Sequence, residues 1–247
     1  MVSEIVYCAC LLTLNVEEPP SPRAIIEAGI KAHGGQENLA KTLTGSLAAK
    51  AKLTVGEIES SVSWKETFQL PRRYHRSIKG VIGGKEFSME YAITDGAGWI
   101  CQNGGPPKEI PSKEMKLEKL SLDRTWNAFL AILPNNLTDR VKLTAAEKEK
   151  VNGRDAVAVE ASGTGGKVVL CFDNESGLLV KSKGRMDNPL VGKDVQIEVV
   201  YGDFKKVSGI EFPHRITSYV SGKKVQEMEI ERIEFTKDVP DLLFQKP

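Results

Sequence analysis

The side chains of this 247-residue sequence best suited to nucleophilic or metal chemistry are four cysteines and three histidines. Cys8, Cys10, Cys101 and Cys171 form neither a CxxC pair nor a Cys/His cluster with zinc spacing, which argues against a structural zinc. His33, His75 and His214 are scattered, with no HxH or HxxxH pair, so a metal lacks ligands and none is expected. Cys101 and Cys171 fall in separate strand-like segments and read as two free thiols. A disulfide between them, in an oxidising compartment, needs their Cα atoms within bonding reach, which spacing does not fix.

His214 is the titratable residue of most interest. Ile210, Phe212, His214 and Ile216 fall on one strand face and set an imidazole among apolar neighbours. With no Ser or Cys nucleophile context beside it, hydrogen-bonded packing outweighs a catalytic base. An enzyme using His214 as acid or base with Glu211 or Glu198 ranks last, and no catalytic residue or cofactor is assigned. His33 closes a helix and reads as a cap that favours the helix dipole. His75, between Arg73 and Arg76, reads as solvated. The run Ser162-Gly163-Thr164-Gly165-Gly166-Lys167 invites a phosphate-loop reading, but Ala161 stands where the first glycine is needed and a strand follows instead of a helix. It reads as a hairpin turn. Asn136-Leu137-Thr138 and Asn174-Glu175-Ser176 match glycosylation sequons short enough to arise by chance.

The elements that must position these residues are mostly strands. Ser21 as N-cap and Pro22 at the first helical position open a helix whose stripe Ile25, Ile26, Ile30 and Ala32 stops at Gly34-Gly35; a short helix from Gln36 to Leu43 follows. From Gly45 the period becomes two. Leu47 to Val55 and Ile58 to Phe68 form a long hairpin, followed by strands at Arg73 to Lys79, Lys85 to Thr94 and Gly98 to Gln102. Gly104 to Pro107 breaks the sheet. Lys113 to Leu133 then offers a helical apolar face, and Pro134 ends it. Strands resume at Glu147 to Val151 and continue to Lys224 to Phe235, separated by turns such as Asn152-Gly153 and Ser221-Gly222. In the last strand Met228 and Ile230 share one parity and Ile233 and Phe235 the other, which implies a bulge near Glu231-Arg232.

The absence of βαβ alternation makes the sheet antiparallel. The fold class is mainly β with short helices: a curled antiparallel sheet, or unclosed β-barrel, of roughly eleven strands with a helical lid. A strongly twisted sheet of more than about ten strands must curl, and curling creates a concave face for Lys113 to Leu133 to cover. Lys plus Arg number 34 against 33 Asp plus Glu, a net charge of +1, so no global field draws nucleic acid or an anionic membrane. Ile5 to Leu14 has the length of a signal core but lacks a preceding Lys or Arg; residues 1–21 read as a degenerate export signal and linker, and 22–247 as a single domain. No stretch reaches the ~20 apolar residues of a membrane span.

The chain resembles the outer-membrane lipoprotein-sorting protein family, periplasmic carriers with an unclosed β-barrel and a helical lid over an apolar cavity. The resemblance rests on Ile-Ile-Glu-Ala-Gly-Ile-Lys-Ala-His-Gly-Gly near the N-terminus, Gln69-Leu70-Pro71-Arg72-Arg73-Tyr74, Thr94-Asp95-Gly96 before Trp99, Phe172-Asp173 with Ser176 to Val180, Tyr201-Gly202-Asp203-Phe204, Gly209-Ile210 with Pro213, and the tail Val239 to Phe244. It covers most of the chain after Pro22. It departs at Leu70, where the carriers place an arginine that holds the lid closed, so that latch does not carry over. The resemblance implies a non-enzymatic carrier or sensor in the periplasm or another exported location, with a lipid, acyl chain or lipoprotein as ligand and an envelope protein as a further partner. Dispersion and desolvation supply the affinity, each buried CH₂ contributing about 0.8 kcal/mol. The expected lining is Trp64, Phe87, Met89, Tyr91, Leu117, Leu120, Phe129, Val168, Leu170, Ile197, Phe212, His214 and Met228. The alternative is a structural or protein-interaction module with a filled core. Oligomeric state and ligand identity are not encoded in these patterns.

Overall fold

The computed structural model describes residues 20–70, 72–94, 97–110, 141–163, 166–188 and 192–247. Helix α1 (Pro22–Ala32) starts as its sequence dictates: the Ser21 hydroxyl accepts from the Ala24 N–H at 3.2 Å and Pro22 supplies the fixed φ of the first turn. It stops at Gly34, whose φ of 107° only glycine adopts without strain. A five-residue helix α2 (Gln36–Ala40) and a 3₁₀ turn (Lys41–Leu43) lead into the sheet.

Among the described residues thirteen strands follow: β1 (Thr44–Val55), β2 (Ile58–Gln69), β3 (Arg73–Ile82), β4 (Lys85–Ile93), β5 (Gly98–Gln102), β6 (Lys108–Glu109), β7 (Lys142–Val151), β8 (Arg154–Gly163), β9 (Gly166–Asp173), β10 (Leu179–Asn188), β11 (Gly192–Val207), β12 (Ile210–Val220) and β13 (Lys223–Phe235). The count exceeds the expected eleven. Its least legible member is β6, two residues long behind a Pro-rich break and too short to show alternation. All pairings are antiparallel in one sheet of order β6-β5-β4-β3-β2-β1-β13-β12-β11-β10-β9-β8-β7, not closed into a barrel. The chain runs outward as one meander, returns as a second, and joins them where β13 pairs with β1. The outermost strands of the described sheet, β6 and β7, are the ones that residues 111–140 connect in sequence. The expected lid at Lys113 to Leu133, with Leu117, Leu120 and Phe129, lies outside the described residues, as does the N-terminal segment to residue 19.

The bulge in the last strand occurs where the parity change requires it: Ala48 pairs with Arg232 and Ala49 with Ile230, leaving Glu231 as the extra residue. Met228, Ile230 and Ile233 consequently all reach the same core. Strands approach too closely for side chains at Gly80 and Gly184, where a Cβ would lie 2.5 Å from the Ser61 carbonyl and 2.9 Å from that of Lys167.

The helices cover one end of one face, which we call the inner face. Ile26, Ile30 and Leu39 are buried against Phe172, Leu179 and Ile210, and Gly29 lies so close to the Phe172 ring that a Cβ would meet its edge at 2.3 Å. His33 joins the end of α1 to the sheet. Its Nδ1 donates to the Glu211 carbonyl at 2.8 Å, its Nε2 accepts from the Leu179 N–H at 2.9 Å, and its own carbonyl accepts from the Glu211 N–H. The ring is fully buried and edge-on to Phe204. It is therefore a neutral staple and not the cationic cap that its position suggested, because desolvation outweighs the Glu211 carbonyl and lowers its pKa to about 4.

That depression has a sign. The unfolded chain takes up a proton near pH 6.5, whereas the folded ring resists one until about pH 4. The stability His33 contributes is complete above pH 6.5 and declines as the pH falls to 4, by about 3 kcal/mol in total. Thermal melts between pH 7 and 4 should show this loss, and His33→Asn should start less stable at pH 7 and lose much less across the same interval.

Candidate functional site

Cross-strand register fixes where the expected lining residues point, since directly opposed residues share a face. Trp64 faces Ile78, which faces Met89; Phe87 faces Gly80; Tyr91 faces Arg76; Val168 and Ile197 both face Gly184; Met228 faces Ala51 and Ile216. Alternation along β9 and β12 adds Leu170, Phe212 and His214. All ten described residues of the set lie on the inner face. Trp64, Tyr91, Val168, Leu170, Phe212 and Met228 are buried, and Phe87, Met89, Ile197 and His214 are half-buried.

This split follows a gradient along the strands. At the helix-covered end Phe68, Tyr74, Ile93, Tyr201 and Ile210 are buried. Toward the opposite end, marked by the β1–β2, β3–β4 and β12–β13 turns, the inner positions Leu53, Phe87, Val195, Ile197, Val199, Ile216 and Val220 keep part of their surface, and Ile58 is 47% exposed. The apolar inner face is packed at one end and accessible at the other.

Two charged residues interrupt that face. Glu66 and Arg76 oppose each other on β2 and β3, joined from Arg76 Nε to Glu66 Oε1 at 2.9 Å. Trp64 Nε1 donates to the same carboxylate oxygen at 2.5 Å, and Arg76 Nη1 donates to the Tyr91 hydroxyl at 2.5 Å. The guanidinium lies 4.4 Å from the Trp64 ring, 4.8 Å from Tyr74 and 5.4 Å from Tyr91. The Tyr74 hydroxyl is fully buried beside this box and faces the Glu66 carboxylate. Burial, the largest influence, together with the facing Glu66 carboxylate, keeps its phenol protonated well above the ordinary range. Sequence reasoning missed this cluster. The signal was present: Glu66 is in phase with Val62, Trp64 and Phe68, and Arg76 with Tyr74 and Ile78.

The other titratable candidates are placed differently. His214 packs against Phe212, with Nδ1 3.1 Å from the Phe212 carbonyl oxygen. Strand alternation sends Glu211 and Glu198 to the opposite face, where Glu198 binds Lys181 at 2.6 Å, so the acid–base pair is not assembled. His75 is buried, not solvated: Glu90 lies 2.9 Å away and Trp99 stacks near it, beneath the tail that Arg73 holds through Asp241 and the Phe244 ring. Cys101 and Cys171 are separate free thiols, donating to the Gly105 carbonyl at 2.8 Å and to Glu149 at 2.7 Å. Burial, reinforced by Glu149, pushes the Cys171 thiol up to about 12, which makes it a poor nucleophile. Among the described residues no three His, Cys, Asp or Glu side chains converge as a metal site, and no helix is long and apolar enough to cross a membrane. A groove of about 390 Å³ on the outer face includes Glu160, Lys167, Lys183 and Arg185, each of which is ion-paired.

The energetics of the inner cluster are testable. Removing one member of a largely buried ion pair strands its partner, whereas apolar replacement of both is often neutral or stabilising. Arg76→Met alone should lower stability by up to about 3–5 kcal/mol, and Glu66→Leu/Arg76→Met should recover most of that loss in denaturant titrations.

No protein-family model matches this chain, and no curated protein matches it. Solved structures do. A LolA-superfamily protein from Nitrosomonas europaea aligns with a TM-score of 0.54 at 14% identity, covering 92% of this chain and 99% of the other. A domain classed as outer-membrane lipoprotein-sorting, from Vibrio parahaemolyticus, gives 0.51 at 13% identity over 90% and 97% of the two chains. A DUF1329-family protein from Desulfovibrio piger gives 0.55 at 10% identity over 92% and 98%. At such identities the likeness is one of architecture. The chain has the fold of the LolA-superfamily and lipoprotein-sorting proteins, an antiparallel sheet that curls without closing.

Proposed function

We propose that this protein is a non-enzymatic carrier or sensor that holds an apolar ligand, a lipid, acyl chain or lipoprotein, on the inner face of its sheet, and that it works outside the cytoplasm in the cell envelope. The observation that carries this reading is the burial gradient: an apolar face packed by helices at one end and accessible at the other is a place for a chain of CH₂ groups. Phe87, Met89, Ile197 and His214 are the described members of the expected lining with surface to offer. The shared architecture with a lipoprotein-sorting domain supports the same reading. One observation favours a packed interaction module instead: Trp64, Tyr91, Val168, Leu170, Phe212 and Met228 are already buried by the protein's own side chains.

Native mass spectrometry with organic extraction, on the full chain purified without detergent from a lipid-containing envelope, separates the two. The carrier reading expects a stoichiometric acyl species that disappears in Ile197→Asp while circular dichroism stays unchanged. Ile197 suits this test because it is half-buried, whereas charge at the fully buried Leu170 would unfold the core. A clean apo mass, together with failure to take up diphenylhexatriene, would leave the packed module as the better account.

A further inference from the structure

The accessible half of the inner face carries a polar pair that an apolar lining does not require. One row of directly opposed residues crosses it: Ser60, Leu53, Gln226, Ser218, Val199 and Ser182. Its polar members are not equivalent. The Ser182 hydroxyl is taken up by the Tyr201 hydroxyl at 2.8 Å, and the Ser60 hydroxyl is enclosed, with no surface for a guest to touch. Gln226 and Ser218 are half-buried, neither side chain has a hydrogen-bond partner among the described residues, and none of their polar side-chain atoms is enclosed. The protein leaves both of them unsatisfied and within reach from the open side.

A second bulge in β13 sets the glutamine there. The Ser221-Gly222 turn places Lys223 opposite Val220 and Lys224 opposite Tyr219; that register, continued, would bring Val225 opposite Ser218 and onto the apolar face. Val225 is instead the extra residue, and Gln226 takes the inward position between Ser218 and Leu53. Next along the strands come Met228 and Ile216, so an amide in place of a β-branched aliphatic is not what packing favours here.

The chemistry of the pair selects its guest. An amide and a hydroxyl offer donors and acceptors but no charge. A charged pair of the same face, Glu66 and Arg76, lies six residues farther along the strands (Leu47 against Leu53 in β1), about 20 Å away, and neutralises itself. A carboxylate at Gln226 would lose hydration without gaining a counter-ion, and an alkane would cover both groups unpaired. We infer that Gln226 and Ser218 bind the head group of an uncharged acyl lipid that both donates and accepts hydrogen bonds, an acylglycerol hydroxyl or an acyl amide N–H beside its carbonyl, while the hydrocarbon chain lies over the half-buried Val199 and Ile197. This rests on the proposed carrier function and names its ligand class: neutral, hydrogen-bonding acyl lipids in preference to free fatty acids.

The test is displacement of diphenylhexatriene from the full-length protein at pH 8 by hexadecane, palmitate, 1-monopalmitoylglycerol and palmitamide, delivered from cyclodextrin. At least one of the two neutral lipids should compete at about tenfold lower concentration than hexadecane, the ratio expected from one well-placed hydrogen bond, and should outcompete palmitate. The better of the two tells a hydroxyl head group from an amide. Gln226→Leu and the smaller change Ser218→Ala should each reduce that advantage, the first erasing it, while hexadecane competes at least as well as before. Gln226→Lys should reverse the order and set palmitate ahead of the neutral lipids, because the head group then meets a cation; a glutamine that only faces water predicts neither effect. Equal competition by the neutral lipids and hexadecane in the unaltered protein, or an advantage that survives both Gln226→Leu and Ser218→Ala, overturns the head-group site. If diphenylhexatriene never binds, the carrier reading itself fails, a result distinct from a bound dye that no head group displaces selectively.

Discussion

The pairing of β1 with β13 is the contact on which the rest of this structure depends. Among the described residues every other pairing joins neighbours in sequence, closed by short connections or, between β5 and β6, a Pro-rich loop; this one brings together strands separated by nearly the whole chain and fuses two meanders into one sheet. It also has to keep phase. Ala49 and Ala51 must share a face with Met228 and Ile230, and Leu47 with Ile233, although the two sets in β13 differ in parity. One extra residue at Glu231 reconciles them, and without it half of that strand's apolar residues would point to solvent. The cost in loop-closure entropy grows only with the logarithm of chain length, so a single long-range pairing backed by a continuous apolar face is affordable.

The helices complete this arrangement at one end. His33 is bound through both ring nitrogens and its backbone carbonyl to β10 and β12, and Gly29 lets the helix settle against Phe172. These contacts use small residues and neutral hydrogen bonds where space is tightest. Charged pairs are kept mostly to the outer face: Lys181 lies between Glu149 and Glu198 there, with Lys183 on Glu149. Glu66 and Arg76, set among the buried rings of the inner face, are an exception.

Much of this was legible in the sequence because a strand buried on one face must alternate. The common face of ten of the singled-out positions, the bulge in β13, the N-cap of α1 and the antiparallel class all follow from period and turn chemistry alone. What failed was the assumption that a polar cluster means a solvated strand. In β3 the sequence Arg73-Tyr74-His75-Arg76 reads as charged, yet both faces are covered: Tyr74 and Arg76 belong to the inner box, while Arg73 and His75 lie beneath the C-terminal tail. Long-range cover of that kind leaves no local period to detect. His33 misled for a related reason, since a cap position predicts a cation only where water reaches it.

Lengths explain why the inner face stays unevenly filled. Helix α1 has 11 residues and rises about 16 Å, whereas the 11 residues of β12 extend about 37 Å. However the helix is turned, it spans less than half of a strand, and His33 and Gly34 fix it at the end where β12 begins. The five residues of α2 add little to that reach. The far half of the face must therefore be covered by something other than these helices, or lined with residues that tolerate partial exposure. The sequence of that half meets the second condition, with Ser60, Gly80, Gly184, Ser218 and Gln226 set among Phe87, Val195, Ile197 and Ile216. Small and weakly polar residues lower the penalty of an unfilled surface and leave room above it. It is on this composition of the far half of the face that the proposed carrier function rests.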